Sequence, residues 1–436
     1  GGHGRVPVSA GLQGPIGGAS PPRWSVSSGV LQALKDRSTA LLERCSDQLP
    51  SPPLSEAASR FLLRWWEQHG RCDPLQKPWM FGSDGQWPAA EESLDPYPIW
   101  IAEVMLQQTQ LQVVLPYWKR WMEAFPRLEI LASASEQQVL LLWQGLGYYS
   151  RARRLHATSR LLLAQLERSD VESDGFNQPN QWPVDPEVWL GLPGIGRSTA
   201  GGILSSAFNS SLAILDGNVR RVLARLHAHP EPPMRAQAQF WLWSENLIDA
   251  VPGLSRNLNQ ALMDLGATVC TPRLPSCEVC PWEALCAAYA SGSPQQFPVK
   301  EAPREIPFQV IGVGVVINDA GEVLIDQRLN EGLLGGLWEF PGGKQEPGEL
   351  ITDTVCRELR EELAIEVRVE QELIKLDHAY SHKKLRFEVH LCRWLSGDPQ
   401  PLASQQVRWV KPSELADYPF PAANSRIISA LLEHLD

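Results

Sequence analysis

Three groups of residues in this 436-residue chain have types and spacings that could do chemistry. The first is a cysteine run, Cys270-x6-Cys277-x2-Cys280-x5-Cys286. Four thiols crowded together in an otherwise cysteine-poor chain read as a metal site in a reducing compartment. A zinc ribbon usually offers two tight Cys-x2-Cys pairs, and this run has one. Wider spacing suits an iron–sulfur cubane, with a zinc knuckle as the alternative. The second group is a pair of isolated carboxylates. Glu103 stands in the mostly apolar stretch from Pro98 to Gln110. It is either the solvated edge of a helix or a general acid whose proton is retained by an apolar pocket. Asp216, in Ile214-Leu215-Asp216-Gly217-Asn218, stands where a helix should begin and suits an N-cap. A cap and a catalytic carboxylate are compatible roles. The third group is Gly343-x5-Glu349-x7-Arg357-Glu358-Leu359-Arg360-Glu361-Glu362. Three carboxylates on one helical turn could hold Mg²⁺ against a pyrophosphate, or simply pair with arginines and face water.

These groups need elements to hold them. Between residue 58 and about 290, apolar residues recur at three- and four-residue spacing over 98–125, 136–144, 152–166, 197–207, 217–226 and 255–267. That period predicts helices throughout. An earlier amphipathic helix carries Phe61, Leu62, Trp65 and Trp66. Leu192-Pro193-Gly194-Ile195-Gly196-Arg197 falls between two helical stretches. Its glycines permit a tight turn that leaves backbone N–H groups open at a helix start, where a phosphate could sit; most such turns only join helices. Beyond residue 307 the period changes, with strands expected at 310–317, 323–326, 385–395 and 407–410 and a helix at 350–363. The segmentation is a flexible tail over 1–55, an all-α domain over 56–290, a Pro/Ser-rich linker over 291–307 and an α+β domain over 308–436.

Composition excludes several classes. No run approaches 18 apolar residues, so no membrane span is expected. The first residues lack a basic segment followed by an apolar one, so no secretory signal is expected either. Eight cysteines are too few for a disulfide scaffold, and Cys45, Cys72, Cys356 and Cys392 read as ordinary thiols. A net charge of −11 argues against coating nucleic acid by bulk attraction, but leaves local contacts open.

The cysteine run with its lead-in Asn259-Gln260-Ala261-Leu262-Met263-Asp264-Leu265-Gly266 resembles the [4Fe–4S] loop of helix-hairpin-helix DNA glycosylases. The glycine hairpin followed by Asp216 resembles the same superfamily, which implies a catalytic aspartate. Glu103-Val104-Met105-Leu106-Gln107-Gln108-Thr109-Gln110 and Gly145-Leu146-Gly147-Tyr148-Tyr149 resemble the adenine DNA glycosylase (MutY-type) family. The resemblance implies that Glu103 is the acid and that Tyr148 wedges into the DNA stack. It also implies DNA or base contacts at Gln108, Gly194, Gly196, Ser198 and Asn218, with Asn218 orienting the site. Arg151, Arg153 and Arg154 read as a basic cluster suited to phosphate, or as a solvated helix face. Related bifunctional enzymes carry a lysine nucleophile where this chain has Ser198, which implies hydrolysis by water. The family's usual Leu-Pro-Trp-Arg segment is replaced by Gln76-Lys77-Pro78-Trp79-Met80, putting that segment's contacts in doubt.

The C-terminal motif matches a Nudix box except that Ala364 replaces glycine. The resemblance implies a domain that recognises 8-oxoguanine through Ser381 and His382 of Tyr380-Ser381-His382, rather than a hydrolase. The expectation is therefore an all-α helix-hairpin-helix glycosylase domain with a [4Fe–4S] cluster, followed by an α+β Nudix-like domain. Its substrate would be duplex DNA with A·8-oxoguanine or A·G mispairs. A cytoplasmic, nucleoid-associated monomer is expected, with an organelle left open. Three rivals stand beside it. A bifunctional endonuclease III-type glycosylase/lyase lacks its lysine here. A Nudix hydrolase with an accessory DNA-binding domain explains only the last third. A catalytically dead DNA-binding protein would be expected to lose Glu103 or Asp216.

Overall fold

The computed structural model describes residues 54–167, 182–301, 307–332, 334–379 and 383–435. The tail up to Pro53 and the Ser381 and His382 pair lie outside the described residues. Helix α1 (Leu54–His69) buries Ala58, Leu62 and Trp66, a stripe of four-residue steps. Helix α2 (Pro96–Leu106) starts sharply because Asp95 accepts from the Tyr97 amide at 2.9 Å and Pro96 sits in the first turn. It is buried on almost every side, which explains a sequence that is apolar apart from Glu103.

The apolar pattern over 98–125 is not one helix. Gln107–Gln110 breaks it into α2 and α3 (Leu111–Ala124), and Gln108 takes a left-handed φ of 61° there. Short helices α4 (Leu128–Ser133) and α5 (Glu136–Trp143) lead to α6 (Ser150–Glu167). After α7 (Pro186–Leu190) comes the glycine hairpin and α8 (Arg197–Phe208), then α9 (Gly217–Leu226). Helices α10 (Gln237–Asp249) and α11 (Ser255–Asp264) follow, with α12 (Ala287–Ala290) last. One core gathers Trp100, Trp121, Trp143 and Trp189, another Leu62, Trp66, Phe240 and Leu262. The heavy tryptophan content goes into these cores and their edges. The periodicity did not predict α10. It buries Phe240, Ser244, Leu247 and Ile248 while Trp241 and Trp243 are only partly covered, so apolar residues occur around much of its circumference.

The C-terminal part is a seven-stranded sheet between two helices. Strands β1 (Phe308–Ile317), β2 (Val323–Gln327), β3 (Trp338–Glu339) and β4 (Gly342–Lys344) precede α13 (Ile351–Leu363). Strands β5 (Glu366–Ala379), β6 (Lys384–Ser396) and β7 (Gln406–Val410) precede α14 (Ala422–Leu435). The order is β3-β2-β1-β6-β5, with β4 also against β1 and β7 against β2. Only β1 and β6 run parallel. Alternation along β1 sends Val313 and Val315 toward α14 and Val316 toward α13. Gly314 lies on the α13 side, where a Cβ would come within 2.8 Å of Leu359.

The two parts touch directly. Leu337 from the loop before β3 is fully buried in the Trp143 core. Gln137 donates to Asp417 O at 2.8 Å, and Tyr149 Oη to Phe420 O at 3.3 Å. The first half of the segment read as a linker is itself fastened, because Arg225 Nε donates to Pro294 O and Phe297 O at 3.0 and 2.9 Å. Among the described residues no helix is long and apolar enough to cross a membrane.

Ala364 caps α13 with a left-handed φ of 58°, the conformation that its Cβ disfavours. Ala364→Gly should therefore raise stability by about 0.5–1 kcal/mol, net of glycine's extra backbone entropy. A higher denaturation midpoint for the Nudix-like part is the expected reading; an unchanged or lower one would contradict the cap argument.

Candidate active site

Glu103 lies on α2 facing α8, and its carboxylate rests against Gly202. A Cβ at Gly202 would come within 2.6 Å of Glu103 Oε2 and 2.9 Å of its Cδ. Glycine at that position is what lets the acid lie against the helix. The signal was present in the sequence as Gly201-Gly202 inside a helical pattern, and it was missed. Burial, and after it the Asp216 charge, push the Glu103 carboxyl up to about 7 against the opposing charge of Lys77. The acid would thus carry a proton at and below neutral pH.

Asp216 is the N-cap of α9, accepting from the Val219 amide at 2.7 Å. Burial raises its pKa, but here four neighbours oppose that: the Val219 and Asn218 amides and the charges of Arg221 and Arg220. The helix start adds a positive end to the same atoms. The N-cap geometry is therefore present, and it is compatible with the catalytic reading of Asp216. Ser198 Oγ accepts from the Leu215 amide at 2.9 Å, tying the hairpin helix to the residue before Asp216. Asn218 Oδ1 accepts from Arg221 Nη2 at 2.9 Å, and a Cβ on Gly266 would come within 2.8 Å of Asn218. Its side chain is thereby held between Arg221 and Gly266, while its backbone amide faces the Asp216 carboxylate.

The hairpin glycines are exposed. Gly194 has φ of 80°, and its Cα side packs against Arg154, where a Cβ would approach to 3.0 Å. Gly196 starts α8 with no side-chain cap, so amides at that helix start have no side-chain acceptor. Gln108 and Tyr148 are also exposed, Tyr148 by 45%, and both have left-handed backbones, at 61° and 49°.

Arg151 does not belong to a phosphate-binding surface cluster. It is buried, and its guanidinium donates to Val104 O, Met105 O and Gln107 O at the end of α2. It also donates to Thr109 Oγ1 and to Leu146 O and Gly147 O. One side chain therefore brackets both left-handed residues, Gln108 and Tyr148. Arg153 reaches instead to Asn330 O and to Gly332 O at 2.9 Å, joining the helical part to the Nudix-like part.

The four cysteines Cys270, Cys277, Cys280 and Cys286 line one small cavity together with Arg225. Arg225 Nη1 donates to Cys270 Sγ at 3.3 Å and the Trp282 amide to Cys280 Sγ at 3.4 Å. Burial, with the other three cysteines adding to it and the Trp282 amide opposing, pushes the Cys280 thiol up to about 12. Such a set favours neutral thiols unless a cation joins it, and its all-sulfur donors fit an iron–sulfur group. Among the described residues no three His, Cys, Asp or Glu side chains are drawn together as for one metal ion.

In the Nudix-like part the glutamates pair with an arginine. Arg357 donates to Glu349 at 2.8 and 3.0 Å, to Glu358 at 2.8 Å and to Glu361 at 3.3 Å. Hydrogen bonds from Arg357 and Thr354 hold the Glu349 carboxyl down at about 2. Glu362 is pushed up to about 7 by burial, then by Glu358 and Glu339.

Residues 101–245 match the HhH-GPD superfamily of base excision DNA repair proteins, and residues 312–430 match the NUDIX domain. The adenine DNA glycosylase of Rattus norvegicus is 33% identical over 427 residues, spanning 87% of this chain and 78% of that protein. The Homo sapiens adenine DNA glycosylase is 34% identical over 81% of this chain and 70% of its own length. The chain belongs to the adenine DNA glycosylase family. A bacterial adenine DNA glycosylase, from Buchnera aphidicola, is 29% identical over 77% of the chain and 86% of its own length. Membership of this family accounts for both halves of the chain, the HhH-GPD glycosylase fold and the Nudix-like fold behind it.

Gly202→Ala tests whether the site depends on this close approach. Alanine favours the helix by about 1 kcal/mol over glycine, so folding should hold. The displaced Glu103 carboxyl should cost about a hundredfold in single-turnover base release, the scale of a 1 Å misplacement. Unchanged release would mean that Glu103 does not act from this position.

Proposed function

We propose that this chain removes adenine from duplex DNA where it is mispaired with 8-oxoguanine or guanine, leaving an abasic site. The observation that carries the reading is the pairing of Glu103, its carboxyl lifted to about 7, with Asp216, where two amides and two arginines oppose the rise that burial causes. Adenine must first leave the stack to reach a site within the helical part. Glu103 then protonates the purine ring, at N7 in this reading, making adenine a better leaving group. The glycosidic bond breaks with positive charge developing on the sugar. Asp216, ionised, stabilises that charge and water completes the replacement. Ser198 cannot form a Schiff base, which favours simple hydrolysis over a lyase route.

Exposed Gln108, Tyr148, Gly194 and Gly196 form the DNA-facing surface in this reading. Tyr148 fills the space left by the base, and the hairpin amides take phosphate. Opposite the adenine, the Nudix-like part reads the oxidised base through Ser381 and His382. Engagement of Glu349, Glu358 and Glu361 by Arg357 supports a recognition scaffold over a nucleotide hydrolase. Cys270, Cys277, Cys280 and Cys286 would hold a [4Fe–4S] cluster. Such a cluster supplies thiolate-bound iron, whose role here is to anchor the loop beside α9.

A strand assay on A·8-oxoguanine duplex tests the reaction. Base release should leave an intact strand, cut only after alkali; direct scission with a borohydride-trapped complex would favour a lyase. Glu103→Gln should slow cleavage by at least about a hundredfold. Asp216→Asn keeps the cap oxygen, so folding and DNA binding should persist while turnover collapses. Activity requires Glu103 protonated and Asp216 ionised. It should therefore fall as pH rises through about 7, the position of the Glu103 carboxyl, and fall again in acid as Asp216 gains a proton. Near-normal single-turnover rates in Asp216→Asn would refute the mechanism.

The cofactor has its own test. Anaerobically purified protein should contain about four irons per chain and absorb in the visible, and Cys277→Ser should lose both iron and DNA affinity. Stoichiometric zinc in place of iron would refute the cubane.

A further inference from the structure

The segment in which this chain departs from its family carries a buried lysine. Lys77 is 4% exposed, and its Nζ donates to Asp264 Oδ1 and Gln260 Oε1, each at 2.8 Å. Both acceptors belong to α11. Gln260 is oriented in turn, because its Nε2 donates to Ser206 Oγ at 3.2 Å. Ser206 lies four residues beyond Gly202 on α8, on the same helix face that receives the Glu103 carboxylate. Next to Lys77, Trp79 and Met80 pack with Ile99 and Ala102 of the acid's own helix. Gln260 and the general acid thus meet one stripe of α8, and Lys77 is bonded to that glutamine.

We propose that Lys77, fixed by Asp264 and Gln260, is a positioning residue that supplies a buried positive charge to the general acid Glu103. This inference rests on the reading of Glu103 as the acid. A carboxyl that is desolvated beside another carboxylate tends to hold its proton too tightly, and an acid works best when its strength matches the working pH. A nearby fixed cation offsets both effects. The charged groups around Glu103 are Asp216 from the start of α9, which strengthens its hold on the proton, and Lys77, which weakens it. Around Lys77 stand Asp264 from α11, and Arg71 and Cys72 from the loop after α1. Burial works against the lysine's charge and Asp264 works for it, so the ion pair is what keeps the cation in place.

The network allows a clean test. Asp264 also accepts from Trp66 Nε1 and the Arg71 amide, each at 2.9 Å, and from Arg71 Nε at 2.7 Å. Loss of Lys77 leaves it with three donors and an arginine partner, so Lys77→Met should fold, and Lys77→Gln provides a polar second variant. Single-turnover adenine release from A·G duplex is followed across neutral and alkaline pH, with melting and DNA affinity as controls. Both variants should shift the alkaline limb upward by about one pH unit, the scale of one lost neighbouring charge, with a lower plateau. Lys77→Arg, which keeps the charge, should hold the limb near its original position. Folded Met and Gln variants whose rates fall equally at every pH, with the limb unmoved, would show Lys77 to be merely structural. Persistence of the parent's alkaline limb at full rate in Glu103→Gln would instead sink the acid assignment itself, so the two failures are distinguishable.

Discussion

Glu103 and Asp216 impose the constraint from which the rest of the helical part follows. Two carboxyl groups near one another and shielded from water hold protons as a pair, and both cannot be charged cheaply. Which one keeps the proton is decided by their neighbours. Asp216 is the N-cap of α9, where amides, the helix's positive end and two arginines oppose the rise that burial causes. Glu103 emerges from the middle of an apolar helix, with Lys77 as its opposing cation. The asymmetry that the proposed general acid catalysis needs is thus built from helix placement, with no unusual residue types.

Placing those helices takes close packing. Glu103 can lie against α8 only if α2 and α8 approach at Gly202, and Gly201 beside it faces the Ala213 carbonyl that leads toward Asp216. Arg151 then closes the end of α2, satisfying carbonyls that a helix terminus would otherwise leave open. The same guanidinium holds the chain before Tyr148. A surface phosphate ligand could be exchanged for lysine at modest loss. A guanidinium with six recorded acceptors could not, because an ammonium has neither the planar fork nor enough donors.

Much of this was legible in residue spacing. The cysteine run, the Asp216 cap and the change of period after residue 307 each rest on local sequence, and each has a local structural counterpart. The misses share a different character. Strand β5 went unrecognised because bulges between Glu366 and Val367, Val369 and Gln371, and Glu372 and Ile374 interrupt its alternation. Residues 98–125 read as one helix because the break at Gln107–Gln110 depends on Arg151, far along the chain, and carries no glycine or proline. Arg151, Arg153 and Arg154 read as a patch because adjacency in sequence cannot show that the three side chains go to three different places. Lys77 was noticed only as a departure from a family pattern; its partners Asp264 and Gln260 lie more than 180 residues away.

The loop from Gly145 to Tyr148 shows why the C-terminal part is more than a passenger. Gly145, Gly147 and Tyr148 all have left-handed backbones, with φ of 95°, 76° and 49°. A tyrosine in that region carries a steric cost, and such a loop persists only where its surroundings over-determine it. Inside the helical part the support comes from Arg151 and from Trp143 Nε1, which donates to Gly147 O at 2.9 Å. The remaining support crosses to the other part. Tyr149 Oη accepts from the Gly145 amide at 3.1 Å and donates to Phe420 O. Three residues after Ser150, Arg153 grips the loop at Asn330 and Gly332. The residue proposed to enter the DNA stack is therefore flanked by contacts to the part proposed to read the opposite base. Where one mispair must be examined from both strands, direct attachment at the wedge is a shorter route for coupling the two readings than any path through the linker after Phe297.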